Sequence, residues 1–126
     1  VMVPNDYAHF DYYQSKDVDK EPFGIGGFVD VAKVYSLDPT EGLTAEEGKK
    51  IIGVQANLWA EYITTFSHAQ YMLLPRMAAL AEVAWTPQAD REYSNFLNRA
   101  KLLTQRYEAL GYNFAKHILQ EAKSNE

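Results

Sequence analysis

The 126-residue sequence contains no cysteine. That absence excludes disulfide cross-links and thiolate chemistry and leaves the redox compartment open. Positive charge is also scarce: twelve Lys and Arg stand against seventeen Asp and Glu, for a formal net charge of −5. The basic residues form no cluster that could replace counterions along a phosphate backbone, so nucleic acid is not expected as a partner. Long apolar runs are missing as well. The most apolar stretch, residues 71–85, is interrupted by Pro75, Arg76 and Glu82, and it falls short of the roughly 18 uninterrupted apolar residues of a membrane span. No leader-like segment opens the chain. It starts at Val1-Met2-Val3-Pro4, which reads as the inside of a strand, so a processed or truncated product is expected.

Aromatic residues, by contrast, are abundant. They make up 13% of the chain, and nine of them are Tyr. Rings with an apolar face and a polar tip suit sugars and interfaces, and equally a Tyr-rich core. The length allows one domain with a real core, 1–126. Residues 1–4 read as a strand end and residues 5–14 as a loop. The alternating charges of residues 15–21 predict a solvated stretch. Pro22-Phe23-Gly24-Ile25-Gly26-Gly27 matches neither glycine-rich phosphate motif and reads as a turn. Phe28, Val31, Val34 and Tyr35 recur at helical spacing. Thr44 with Glu47 three positions later is a capping box, which predicts a short helix.

Residues 51–59 are mostly apolar and β-branched at their start, as in a strand covered on both faces. Ser67 is expected to cap the next helix, which Pro75 should break or kink. That helix is apolar nearly all round and is expected to be widely buried. Asp90 is expected to cap a last long helix with Tyr93, Phe96, Leu97, Ala100, Leu103, Tyr107 and Leu110 on one face. Gly111 stands at its stop, and the polar tail, residues 121–126, should fray. The order strand, loop with helix, strand, helix, helix predicts an α/β architecture with a parallel strand pair. Two strands leave edges unpaired, which implies a fragment or self-association.

Ligands in parallel α/β folds collect beyond the C-terminal strand ends. Trp59 and Glu61 are two apart at the end of the central strand, and His9 and Asp11 are two apart just past the first, so each pair should point one way. An indole can cover the apolar face of a pyranose while carboxylates accept its hydroxyls. Equally, Trp59 can be a core residue and Glu61 can pair with a Lys. Arg76 and Glu82 are expected to form a buried pair or to cap helices. His68 is expected near a helix start and His117 on the surface, neither beside a carboxylate or Cys at metal-ligand spacing, so no metal site is expected.

The run from Gly53 to Ile63, with its Trp59-Ala60-Glu61 triplet, and the Pro75-Arg76 stretch that continues through Ala81-Glu82 to Trp85 resemble the last barrel strand and helix of family 20 glycoside hydrolases, the β-N-acetylhexosaminidases. Residues 1–14, ending Phe10-Asp11-Tyr12-Tyr13-Gln14, resemble the preceding strand and loop. The resemblance implies the C-terminal β/α units of an eight-stranded β/α (TIM) barrel plus a C-terminal helix, not a closed barrel by itself. It implies an exported enzyme that removes terminal β-linked N-acetylglucosamine or N-acetylgalactosamine, without a cofactor, using the substrate's own acetamido oxygen as nucleophile. Trp59 would floor the sugar subsite, and Asp11 and Glu61 would accept hydroxyls. His9 stands where the family usually has a Tyr that donates to the acetamido oxygen, and Tyr7 or Tyr12 could take that role. The Trp often found near residues 24–28 is absent; Phe23 or Phe28 stands nearest. The family's catalytic Asp-Glu dipeptide occurs nowhere in the sequence. The isolated chain is therefore expected to be inactive and to self-associate. A noncatalytic sugar-binding module and a purely structural α/β fragment are the competing readings.

Overall fold

A computed structural model describes residues 1–124. Its frame is a parallel pairing of two extended segments, at Met2 with Val54 and at His9 with Asn57. Met2 N donates to Gly53 O and Gln55 N donates to Met2 O, both at 2.9 Å. Helix α1 (Asn5–Ala8) then lifts the first segment out of the pairing. The segment returns where Asn57 N donates to Ala8 O and Phe10 N donates to Asn57 O, both at 2.8 Å. A third parallel bridge joins Tyr13 to Phe28. The parallel layer is therefore present, but as single bridges and not as the continuous strand expected over residues 51–59. The physical reason is α1, whose backbone groups turn inward and interrupt the evenly spaced bonds of a parallel ladder.

The second helix, α2 (Val31–Tyr35), starts later than the spacing predicts. Asp30 caps it by accepting from Lys33 N at 2.7 Å, and Phe28 is engaged in the bridge to Tyr13. In α3 (Ala45–Gly48) both halves of the expected capping box form. Helix α4 (Phe66–Leu73) is capped by Thr65 and not by Ser67; Ser67 instead accepts from Asn113 Nδ2. Pro75 separates α4 from α5 (Arg76–Trp85) as expected. On α5 the buried residues are Arg76, Ala79 and Val83, whereas Trp85 is 89% exposed. The expected burial all round is thus corrected: one face packs on α2, and the opposite face is open among the described residues.

Asp90 lies in a 3-10 turn, and Glu92 precedes α6 (Tyr93–Ala109) without a side-chain cap bond. Gly111, at φ 70°, ends this helix: Gly111 N donates to Glu108 O and Tyr112 N to Tyr107 O, the paired bonds of a Schellman stop. The last helix, α7 (His117–Ser124), packs on α6. The expected fraying of residues 121–126 meets a helix as far as Ser124, and residues 125 and 126 lie outside the described residues. None of the described helices is long and apolar enough to cross a membrane.

The core gathers Phe10, Val29, Val34 and Ala79 against Phe96, Leu97 and Ile118. At its centre is a charge: Arg76 is completely buried. Its Nε donates to Met72 O at 3.1 Å, and Nη1 donates to Tyr12 O and Val29 O, each at 2.9 Å. Nη2 donates to Phe10 O and again to Met72 O. Burial pulls its pKa down to about 9, against the opposing pull of Glu21 and Asp11, and it remains charged at neutral pH. The expected Arg76–Glu82 pair does not form. Glu82 faces Arg99, whose Nη1 donates to it at 2.8 Å, and that hydrogen bond holds the Glu82 carboxyl below its ordinary range. Replacing Arg76 by Leu orphans several buried carbonyls at about 1–3 kcal/mol each. The urea midpoint of Arg76→Leu should fall accordingly, by about 3 kcal/mol or more once multiplied by an unchanged m.

Candidate functional site

The return of the first segment after α1 decides where His9 and Asp11 stand. Phe10 N is held by Asn57 O, and Arg76 binds the carbonyls of Phe10 and Tyr12, the residues on either side of Asp11. The chain does not stay extended there. Tyr12 N donates to His9 O at 3.3 Å, so a turn, and not strand alternation, brings His9 Nδ1 to 3.8 Å from Asp11 Oδ1. Asp11 is only 6% exposed, and its Oδ1 has no hydrogen-bond partner. A buried carboxylate oxygen without a donor is costly, and any donor brought to it would relieve that cost.

The second pair lies just past the neighbouring strand end. Asn57 is the last bridged residue of that segment, and Trp59 and Glu61 follow it by two and four positions. Trp59 is 56% exposed, so the core reading of this indole does not hold. Glu61 is exposed and makes no ion pair among the described residues, so the alternative of a Lys partner also falls. No hydrogen bond links the His9–Asp11 pair to the Trp59–Glu61 pair; the parallel pairing at Asn57 sets their common edge. Next along the rim, Tyr62 stands edge-on to Phe23 with ring centroids 5.3 Å apart.

The glycine-rich turn serves this site sterically. The Tyr12 ring lies 5.3 Å from the His9 ring. Gly27, at φ +71°, lies so close to that ring that a Cβ would come within 2.5 Å of it. An open cleft of about 510 Å³ is lined by Asn5, Tyr12, Ile25, Gly26, Phe28 and Lys33 among others. Neither Asp11 nor Trp59 lines it.

Several residues sit differently from their sequence expectation. Glu21, expected to be solvated, has a side chain with no exposed surface. His117, expected on the surface without a carboxylate partner, lies 2.8 Å from Glu21 Oε1. His68 is near a helix start as expected, its N–H donating to the Thr65 hydroxyl at 3.1 Å. The sequence carries no signal for the Glu21 contact, because the partner residues lie 50 and 96 positions away.

Residues 1–88 match the family model for the catalytic domain of glycosyl hydrolase family 20. The chain belongs to this family. It is 36% identical over 116 residues to a beta-hexosaminidase of Porphyromonas gingivalis, covering 90% of this chain and 15% of that protein. To a beta-N-acetylhexosaminidase of Cellulomonas fimi it is 32% identical, covering 90% and 23%. Among solved structures it is similar to the Streptomyces plicatus N-acetyl-beta-hexosaminidase in complex with Thio-NAglucal, with TM-score 0.80 and 28% identity over 90% of this chain and 23% of that one. The family 20 enzyme of Streptomyces coelicolor A3(2) gives TM-score 0.81 at 26% identity. The chain thus spans less than a quarter of the length of these relatives.

The glycine turn of this family 20 chain yields a paired test. Gly26→Ala adds a Cβ in open space at φ +100°, so left-handed strain alone should cost about 1–2 kcal/mol. Gly27→Ala adds the same strain and displaces the Tyr12 ring. Thermal unfolding of the two variants should place Gly27→Ala clearly below Gly26→Ala.

Proposed function

We propose that this chain is the C-terminal β/α portion of the eight-stranded catalytic barrel of a β-N-acetylhexosaminidase. In this reading it supplies part of the subsite for a terminal β-linked N-acetylglucosamine or N-acetylgalactosamine. The observation that carries the reading is the buried, unpartnered Asp11 oxygen at the same strand edge as an open indole. Trp59 covers the apolar face of the pyranose. Asp11 and Glu61 accept hydroxyls, and such charge-assisted bonds are the strong ones. His9 turns Nδ1 toward Asp11, and in its Nε2–H form the ring would donate to the acetamido oxygen in place of the family's usual Tyr.

The reaction assigned to the whole protein is retaining hydrolysis in which the acetamido oxygen attacks the anomeric carbon. An adjacent Asp-Glu pair would orient that acetamide and supply the acid. No such dipeptide occurs in these 126 residues, so that pair would come from outside this chain. What these residues contribute is binding and orientation of the sugar.

Three outcomes test the reading. In the full-length protein that carries this chain, Trp59→Ala should lower kcat/KM for nitrophenyl N-acetylglucosaminide by about tenfold or more while stability stays within about 0.5 kcal/mol of the parent. A large loss of stability would instead make Trp59 a packing residue. The purified 126-residue chain should not hydrolyse that substrate, and turnover would refute the assignment of the acid. Ile52, Phe66 and Trp85 are open, and exposed apolar groups with unpaired strand edges favour association. Size-exclusion chromatography of the isolated chain should therefore show self-association, and a clean monomer would count against it.

A further inference from the structure

Beyond Asp11 the loop of residues 15–23 runs into a cluster that the sugar-binding reading does not use. Glu21 stands immediately before Pro22 and two residues before Phe23. Its Oε1 accepts from the Tyr71 hydroxyl at 3.1 Å and lies 2.8 Å from His117 Nε2. The Tyr71 oxygen and His117 Nε2 are themselves 3.1 Å apart. Glu21 Oε2 accepts from Gln14 N at 3.3 Å, and Gln14 Nε2 donates to Tyr71 O. Burial, and after it the neighbouring Glu21 charge, push the Tyr71 phenol well above its ordinary range, so it serves as an O–H donor. With the carboxylate oxygen as shared acceptor, His117 Nε2 carries a proton. The Arg76 charge acts on both Tyr71 and Glu21.

This cluster joins three distant stretches: the loop after the Asp11 segment, α4, and the first residue of α7. His117 lies beyond residue 88, where the family match ends. Phe23 is 76% exposed, so burial of its own ring does not fix it against Tyr62. It is held from both sides: the Gly24 carbonyl that follows it accepts from the Tyr13 hydroxyl at 3.3 Å, and the Glu21 carboxylate stands two residues before it, with Pro22 of locked φ between them. We infer that Glu21, Tyr71 and His117 form a partly buried latch through which the C-terminal helix positions the loop of residues 15–23, and with it the Phe23–Tyr62 rim, for sugar binding. The three are positioning residues and do not touch the sugar themselves. The inference rests on the sugar-site reading above.

The test uses the full-length protein carrying this chain, with Glu21→Ala, Glu21→Gln and His117→Ala. Steady-state kinetics on nitrophenyl N-acetylglucosaminide are read beside amide hydrogen exchange. Opening the latch should raise KM about fivefold or more with kcat within about twofold, because binding and not chemistry is affected. Exchange in residues 15–23 should speed up about tenfold while α5 stays protected. Glu21→Gln, which keeps an oxygen acceptor for Tyr71 and His117, should fall between the parent and Glu21→Ala. An unchanged KM with unchanged loop exchange overturns the latch. So does a fall in kcat accompanied by loss of protection in α5, the mark of general destabilisation. If Glu21→Ala does not fold, His117→Ala, on a partly open side chain, decides by the same readings. If the parent protein turns over no N-acetylhexosaminide, the sugar reading fails, and the exchange pattern alone still decides whether the latch exists.

Discussion

One guanidinium holds this architecture together. The pieces that matter for the site are irregular: a strand end at Phe10, a turn at Tyr12, a single-bridge edge at Val29 and the last turn of α4 at Met72. None has a continuous ladder to supply donors to its carbonyls, and a helix end leaves its last carbonyls open by construction. Arg76 reaches all four from the start of α5. Its planar fork of five N–H groups matches diverging acceptors in a way that three donors on a flexible ammonium stem cannot. The Phe10 ring lies below the charge at 4.8 Å, so the same residue is packed as well as bonded. Desolvation of a lone cation is expensive, and here carbonyl dipoles and the charges of Glu21 and Asp11 offset it.

That arrangement ties down the backbone on both sides of Asp11 while one of its carboxylate oxygens goes without a donor. On the proposed sugar-binding reading such a division would favour binding, because the backbone is already tied down and only the ligand would remain to be ordered. Trp59 contributes differently. It stands open on the adjacent segment, where its ring is available without first displacing a neighbour.

Much of this was legible in the residues, and the boundary has physical causes. Signals that act over one turn were readable: the Thr44–Glu47 capping box, the Pro75 break and the Gly111 stop each depend on neighbours within a few positions. The parallel pairing was readable from the order of elements. Caps with equivalent chemistry nearby were not, since Thr65 and Ser67 offer the same hydroxyl. The partners of Arg76, Glu82, Glu21 and His117 that come from 17 to 96 positions away were hidden by that distance. A buried glutamate at the end of a charged run looks no different in sequence from its solvated neighbours. The exposed side of α5 is apolar, and composition alone cannot say which apolar face finds cover.

The small helix α1 has a consequence for how such a chain tolerates change. From Met2 to His9 the first segment advances seven positions while its neighbour advances three, from Val54 to Asn57. The excess is taken up in the single turn of α1, pinned at both ends. His9 is therefore located by its grip on Asn57 and not by counting from Met2. A change of length between Pro4 and Ala8 would fall first on α1 and its packing against α2, ahead of the bonds that fix the residues around His9 to Asn57.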